Sequence, residues 1–466
     1  MNYWKISVKG STRPTTTLKA QAEGVDHPPE TMQVEKKARP LLEYPALLYG
    51  LIGIVGLLVL LVFAMKSGLD TPFASSDARQ YAAIGASIAH GSGYRDPVGF
   101  WPTEPAYDRM PVFPLILSLG MGIAPNALDE VVLRLTNVVC LALAGVAIGA
   151  LCRRLGVRPV LCLVGGLYVS LSPILIHLAL EGLSEISFIL IVSAGLAFAF
   201  SGPRYLYLAA VLLGLGPLVR TNFILVPLVF AALALLYPSA RRALIPRATV
   251  KRAALALCLT LLPAAIWVTR NYALTGRFPL LSSIGGETFY GANNERAASD
   301  LNFWGGWVFP DAIPGETPKA VLAKRLPSDL ALSDYYYSRG MAWTRNNVAR
   351  LPRLVLGKIV RGFVPIPWAN SPSPQEYMAF CSRLVLQVLF LITIPFWWPG
   401  MNRQYLLFLA ALGISHLITT VLFFGLVRYT FCFLEVFTVP CVGFGIDRWL
   451  DRRRRAKASF AVVLTS

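Results

Sequence analysis

Asp77, Arg79, Tyr81, Glu104, Asp108 and Arg109 fall together within residues 75–114, in a chain whose charge is otherwise scarce. A carboxylate such as Asp77 or Asp108 can act as a general base and take the proton of an attacking hydroxyl. Arginine holds phosphate oxygens in a fork and stays charged, so Arg109, Arg220 and Arg270 are candidates for an anionic ligand. Glu181, Glu185, Asn271, Asn293 and Asn294 join them at the outer ends of apolar runs. Ionisable groups beside a membrane are costly unless paired or functional, which makes this set a candidate site.

The elements that must position these groups are helical. Asp77 opens a segment with Ile84, Ile88 and Ala89 at roughly helical spacing, expected to lie on a membrane surface with the carboxylate at its N-terminal end. A second segment starts at Arg109, and Pro111 and Pro114 suit the first turn of a helix running to Ile123. We expect residues 112–123 to be interfacial, since a span there would reverse the sidedness of every later basic loop.

With 55% hydrophobic and 15% charged residues and a mean hydropathy of +0.56, the chain reads as an all-α polytopic membrane protein. Its net charge of +18 sits at the ends of apolar runs, in long loops and in the tails. Anionic lipid accounts for that distribution, and nucleic acid does not. The seven cysteines lack metal-knuckle or disulfide spacing. Runs at residues 44–65, 131–151, 159–178, 186–200, 205–219, 223–236, 253–268, 380–398, 405–424 and 429–446 give about ten expected spans, the first of which has the ~20 residues a bilayer needs. Lys36, Lys37 and Arg39, then Arg153, Arg154 and Arg158, then Arg241, Arg242, Arg247, Lys251 and Arg252, mark the cytoplasmic side. The expected organisation is a disordered cytoplasmic tail (1–43), an N-terminal transmembrane module (44–270) with its first external loop at 67–128, an external loop domain (271–377), C-terminal membrane helices (378–447) and a basic cytoplasmic tail (448–466).

Several short motifs then fall in a telling order: Ser76-Asp77-Ala-Arg-Gln-Tyr81, Tyr107-Asp108-Arg109-Met-Pro111-Val-Phe-Pro114, Arg134-Leu-Thr-Asn137, Leu218-Val-Arg220-Thr-Asn222, Trp267-Val-Thr-Arg270-Asn271-Tyr272, Gly291-Ala-Asn293-Asn294 and Arg428-Tyr429. Over residues 44–446 this order resembles the GT-C membrane glycosyltransferases, in the branch of protein O-mannosyltransferases and the lipid A aminoarabinose transferase. The resemblance implies a sugar donor on a polyprenyl phosphate and inverting transfer to an extracytoplasmic hydroxyl on lipid A, polysaccharide, glycolipid or protein. It also implies an inner-membrane location with the site on the periplasmic side. By the same resemblance Asp77 and Asp108 take the catalytic places. Arg109, Tyr81, Glu104, Arg220, Arg270, Asn271 and Asn294 are the substrate-binding candidates. Ala78 stands where many members have a second acid, and Arg109 where the aminoarabinose enzymes have lysine. No cofactor is certain, and a divalent metal stays open.

Plainer readings exist for most of these groups. Asp77 is also a good N-cap, Glu104 a good solvated loop residue, and Arg220 and Arg270 good headgroup anchors. Glu181 and Glu185, a helical turn apart, suit a paired structural charge. The histidines His90, His177 and His416 are too scattered for a metal site. Two other classes compete: a transporter or flippase for lipid-linked sugars, which calls for broken helices, and a non-catalytic assembly protein.

Overall fold

Leu48, Ile52, Gly56, Leu60 and Ala64 recur every fourth residue of the Pro45–Ser67 helix and are buried, while Leu47, Ile54, Leu58 and Val62 are exposed. A helix that is apolar all round can give one stripe to protein and leave the rest for lipid. The same division runs through the computed structural model, which describes residues 44–73, 75–236, 247–278, 281–365 and 374–465. The tail 1–43 with Lys36, Lys37 and Arg39, and the loop with Arg241 and Arg242, lie outside the described residues, as does the side chain of Arg247.

Among the described residues the chain is helical, with a single isolated bridge, Arg95 to Pro105, and no strand. Six helices are long and apolar enough to cross a membrane: Pro45–Ser67, Asp129–Arg154, Lys251–Thr275, Tyr377–Trp397, Arg403–Leu422 and Val427–Phe460. A seventh arises if Pro159–Ser170 and Pro173–Leu180, bent by 42°, form one span. The remaining apolar runs fold as shorter helices, so only six or seven of the ten expected runs have the length to span. Glu185–Ala199 has 15 residues, about 22 Å at ~1.5 Å per residue, short of a hydrocarbon core of about 30 Å. The two runs either side of Arg220 are cut where the backbone leaves helical geometry at that residue.

Val112–Ile123, at 12 residues, is likewise too short to cross. It lies against the Ser76–Ala89 helix over a small core of Phe73, Ala78, Tyr81, Phe113, Leu117 and Leu133. Gly85 permits the contact, since a Cβ there would stand 3.0 Å from the Leu117 side chain. Residues 285–363 fold into helices with their own core, including Tyr290, Val308, Leu332, Tyr336 and Leu354. The last helix runs from Val439 to Thr465, straight through the boundary expected at residues 447–448.

Candidate active site

Two frames hold the first polar loop. Arg134 donates to the carbonyls of Leu69 (2.7 Å), Thr71 (2.6 Å) and Leu180 (2.9 Å), and Asn137 donates to that of Leu183 at 3.1 Å. Arg134 and Asn137 thus satisfy backbone oxygens at the end of one helix and at the start of the loop. Gly182, at φ +75°, then lets the chain turn sharply: a Cβ there would meet Leu133 at 2.2 Å and Ala78 at 3.1 Å. The turn separates Glu181 from Glu185, which therefore do not share a helix, and brings Ser184 and Glu185 under the Asp77 helix. Tyr81 secures that approach, its hydroxyl 3.1 Å from Ser184 Oγ.

Asp77 sits in the first turn of its helix but caps nothing; Arg109 takes its carboxylate at 2.8 Å instead. One helical turn on, Gln80 bridges the loop. Its amide donates to Asp96 (2.8 Å) and Asp108 (2.9 Å), and its carbonyl accepts from Arg109 Nε at 2.9 Å. Arg109 also lies 3.7 Å from Asp108 and over the Tyr81 ring at 5.3 Å. Burial pushes the Asp77 carboxyl up, but Arg109, Arg428 and Arg220 outweigh it, so the group ends below the usual carboxylate range. Asp96 shifts the other way, raised by burial and by its neighbour Asp108. Asp329, from the helices of residues 285–363, is pushed up to about 6 by burial and by the same Asp108, and it accepts a hydrogen bond from Ser283.

At the opposite end two arginines share one carboxylate. Glu185, 1% exposed, accepts from Arg220 at 3.0 Å and lies 3.5 Å from Arg428 Nε. Arg428 stands 3.9 Å from the free oxygen of Asp77, so it is close to two carboxylates and hydrogen-bonded to neither. Both Arg428 Nε and Glu185 Oε2 are buried without a hydrogen-bond partner. Arg220 and Arg428 also crowd the Tyr429 ring, at 4.5 and 5.0 Å. Two like charges held this close favour an anion between them. The site is thus polarised, with Asp96, Asp108 and Asp329 at one end, Arg220 and Arg428 at the other, and Asp77 between.

No family model, curated protein or solved structure matches this chain. The site therefore stands on its own geometry.

That geometry gathers Asp77, Asp108, Arg109, Tyr81 and Arg220 of the sequence candidates and sets the others apart from the Asp77 carboxylate. Arg270 donates to the Ala106 carbonyl (3.2 Å) and to Asn271 (2.7 Å), and it is boxed by Trp267, Tyr94 and Tyr107 at 4.6–5.6 Å. It braces the loop from behind. Asn294 caps the Glu295–Ser299 helix through Ala297 N–H at 2.9 Å and spends its amide on Tyr290 and Gly291, so its polar atoms are committed within residues 285–363. Glu104 lies half-buried in the loop near Tyr107. Among the described residues no group of three or more His, Cys, Asp or Glu side chains is placed to hold a metal ion.

Three groups in or near the site, Gln80, Arg428 and Asp329, were given no site role from sequence, and Glu185 was a candidate without a known partner. Gln80 was accessible in principle, being three residues past Asp77 on the same helical face. Glu185 and Arg428 belong to helices distant in sequence, and no local spacing joins them to Asp77. Asp329 looks locally like an ordinary first-turn acid beside its cap Ser328.

Proposed function

We propose that this chain is a GT-C-type membrane glycosyltransferase that moves a sugar from a polyprenyl-phosphate donor to a hydroxyl on the outer side of the inner membrane. The observation that carries the reading is the ordered arginine and carboxylate cluster: Asp77 in contact with Arg109 at 2.8 Å, facing Arg428 at 3.9 Å, with Arg220 and Glu185 behind. In this reading the donor phosphate lies against Arg428 and Arg220, whose charge grows in value as the phosphate leaves. Asp77, ionised at neutral pH, takes the acceptor proton. The acceptor oxygen forms its bond to the anomeric carbon as the bond from that carbon to the phosphate oxygen breaks, with inversion, and polyprenyl phosphate departs with the electron pair. Arg109 holds Asp77 in place and must loosen as the proton arrives, because the protonated acid no longer attracts it. Ten membrane passes with both termini cytoplasmic would put the Asp77 loop outside.

The test is release of polyprenyl phosphate from polyprenyl-phosphate sugars by the protein in lipid. Release with one donor, lost in Asp77→Asn while the variant stays folded, is the expected result. A carrier for the same lipid-linked anion is the second reading. It draws on the 42° bend before Pro173 and the break at Arg220, since interrupted helices beside a charged residue also suit transport. Movement of intact donor across the bilayer without turnover would favour it.

A further inference from the structure

Arg428 is the second residue of a helix that begins at Val427, only five residues after the preceding long helix ends at Leu422, and the connection passes through Gly425. That connection is gripped from the external helices. Lys358, 1% exposed, donates to the Val421 carbonyl at 3.1 Å and to Asn293 Oδ1 at 2.9 Å, while Asn293 donates to the Leu422 carbonyl at 3.2 Å. The last carbonyls of a helix lack partners within it, so the Lys358 amine, brought down to about 7 by burial, caps them through its N–H donors. One turn of chain later the Gly425 N–H donates to the Gly305 carbonyl at 2.9 Å. Gly425 is pressed so close that a Cβ would fall 1.9 Å from the Lys358 carbonyl oxygen and 2.7 Å from Gly362 N. Gly305, at φ +70°, is in turn packed on Gly357, where a Cβ would meet the backbone at 2.0 Å.

A lysine buried among neutral oxygens, with two glycines in backbone contact, is a costly way to hold a surface connection. It fixes where the next helix starts. Arg428 needs such fixing, because its own bonds are few: one to the Tyr429 hydroxyl at 3.2 Å, no hydrogen bond to either neighbouring carboxylate, and a buried Nε without a partner.

We propose that Lys358 is a positioning residue for Arg428: with Asn293 it locks the 421–426 connection to the external helices and so aims the Arg428 guanidinium at the anion it shares with Arg220. This rests on the phosphate role given to Arg428 above. By linkage, an anion bound at Arg428 tightens the grip of the external helices on the connection, and loss of the grip weakens the anion by the same factor.

The experiment uses the full chain in lipid nanodiscs with a polyprenyl monophosphate as probe. Lys358→Met keeps the length of the side chain and removes the cap. Gly425→Ala leaves Lys358 in place and pushes the connection away. Each is expected to weaken probe binding about tenfold, in the usual range for coupled sites, and hydrogen exchange should quicken in residues 427–430. Because Lys358 acts through Arg428, Lys358→Met combined with Arg428→Gln should bind no more weakly than Arg428→Gln alone. Additive losses, or unchanged exchange in residues 427–430 in Lys358→Met, would overturn the proposal. If the unaltered protein does not bind the probe, the phosphate reading of the site fails, whereas quickened exchange would still show that Lys358 holds the connection.

Discussion

Among the described residues, two buried ion clusters are built in opposite ways. In the C-terminal helices Arg383, 0% exposed, gives its Nε to both Glu435 oxygens at 2.9 and 2.8 Å, and its Nη2 to Glu435 at 2.6 Å and to the Gly362 carbonyl at 2.7 Å. Gln387 adds a further bond to Glu435 at 2.7 Å. Nearly every donor there is used. At the mouth of the first loop, by contrast, Arg428 is close to two carboxylates without a hydrogen bond to either, and Glu185 Oε2 has no partner. A saturated pair fixes helices; an unsaturated one has donors left for something else.

The comparison breaks first at Arg383. Arg383→Met leaves Glu435 as a lone buried charge and should destabilise the protein by about 3–5 kcal/mol, read as lost thermal stability in lipid, while Arg383→Met with Glu435→Leu should recover much of that. Equal stability of the single variant and the wild type would put the two clusters on the same footing. Arg428→Gln should do the reverse: thermal stability within about 1 kcal/mol of wild type, but binding of polyprenyl phosphate weakened about tenfold, or ~1.4 kcal/mol.

A smaller effect sharpens the acidic end of the site. Asp329 titrates at about 6 in the folded protein against 3.8 for an ordinary aspartate, so the stability it lends is full below that lower value and is lost as pH rises through about 6. Wild type should therefore lose stability between pH 4 and 7 relative to Asp329→Asn, in which this group no longer titrates. Parallel pH profiles would remove Asp329 from the neighbourhood of Asp108. Smallest of all, Glu104→Gln should change stability and probe binding by no more than about 0.5 kcal/mol, as expected for a loop residue outside both clusters.

How much of this was legible in the sequence depends on the range of the interaction. The apolar runs announced a helical membrane protein because burial in lipid needs only composition and length. The break at Arg220 was legible as the gap between the runs at 205–219 and 223–236, but the 42° bend between Ser170 and Pro173 was not, since a bend inside an apolar run depends on what packs beneath it. Within the site, Asp77 and Arg109 were found because a motif order and a short loop keep them together. Glu185 and Arg428 were missed as partners because tertiary packing alone joins them. Arg270 and Asn294 illustrate the converse: each looks functional in its local motif, yet the fold commits Arg270 to bracing Tyr94, Tyr107 and Ala106, and Asn294 to a helix cap. Sequence shows which polar groups exist, and only the fold shows which of them are already satisfied.

The most direct test of the central claim is the release of polyprenyl phosphate from a panel of polyprenyl-phosphate sugars, with a mixture of hydroxyl acceptors supplied, by wild type and by Asp77→Asn in the same lipid. Asp77 touches Arg109 at 2.8 Å and carries no structural cap, so the variant should fold and bind donor yet release nothing. Release at the wild-type rate by Asp77→Asn would contradict the account.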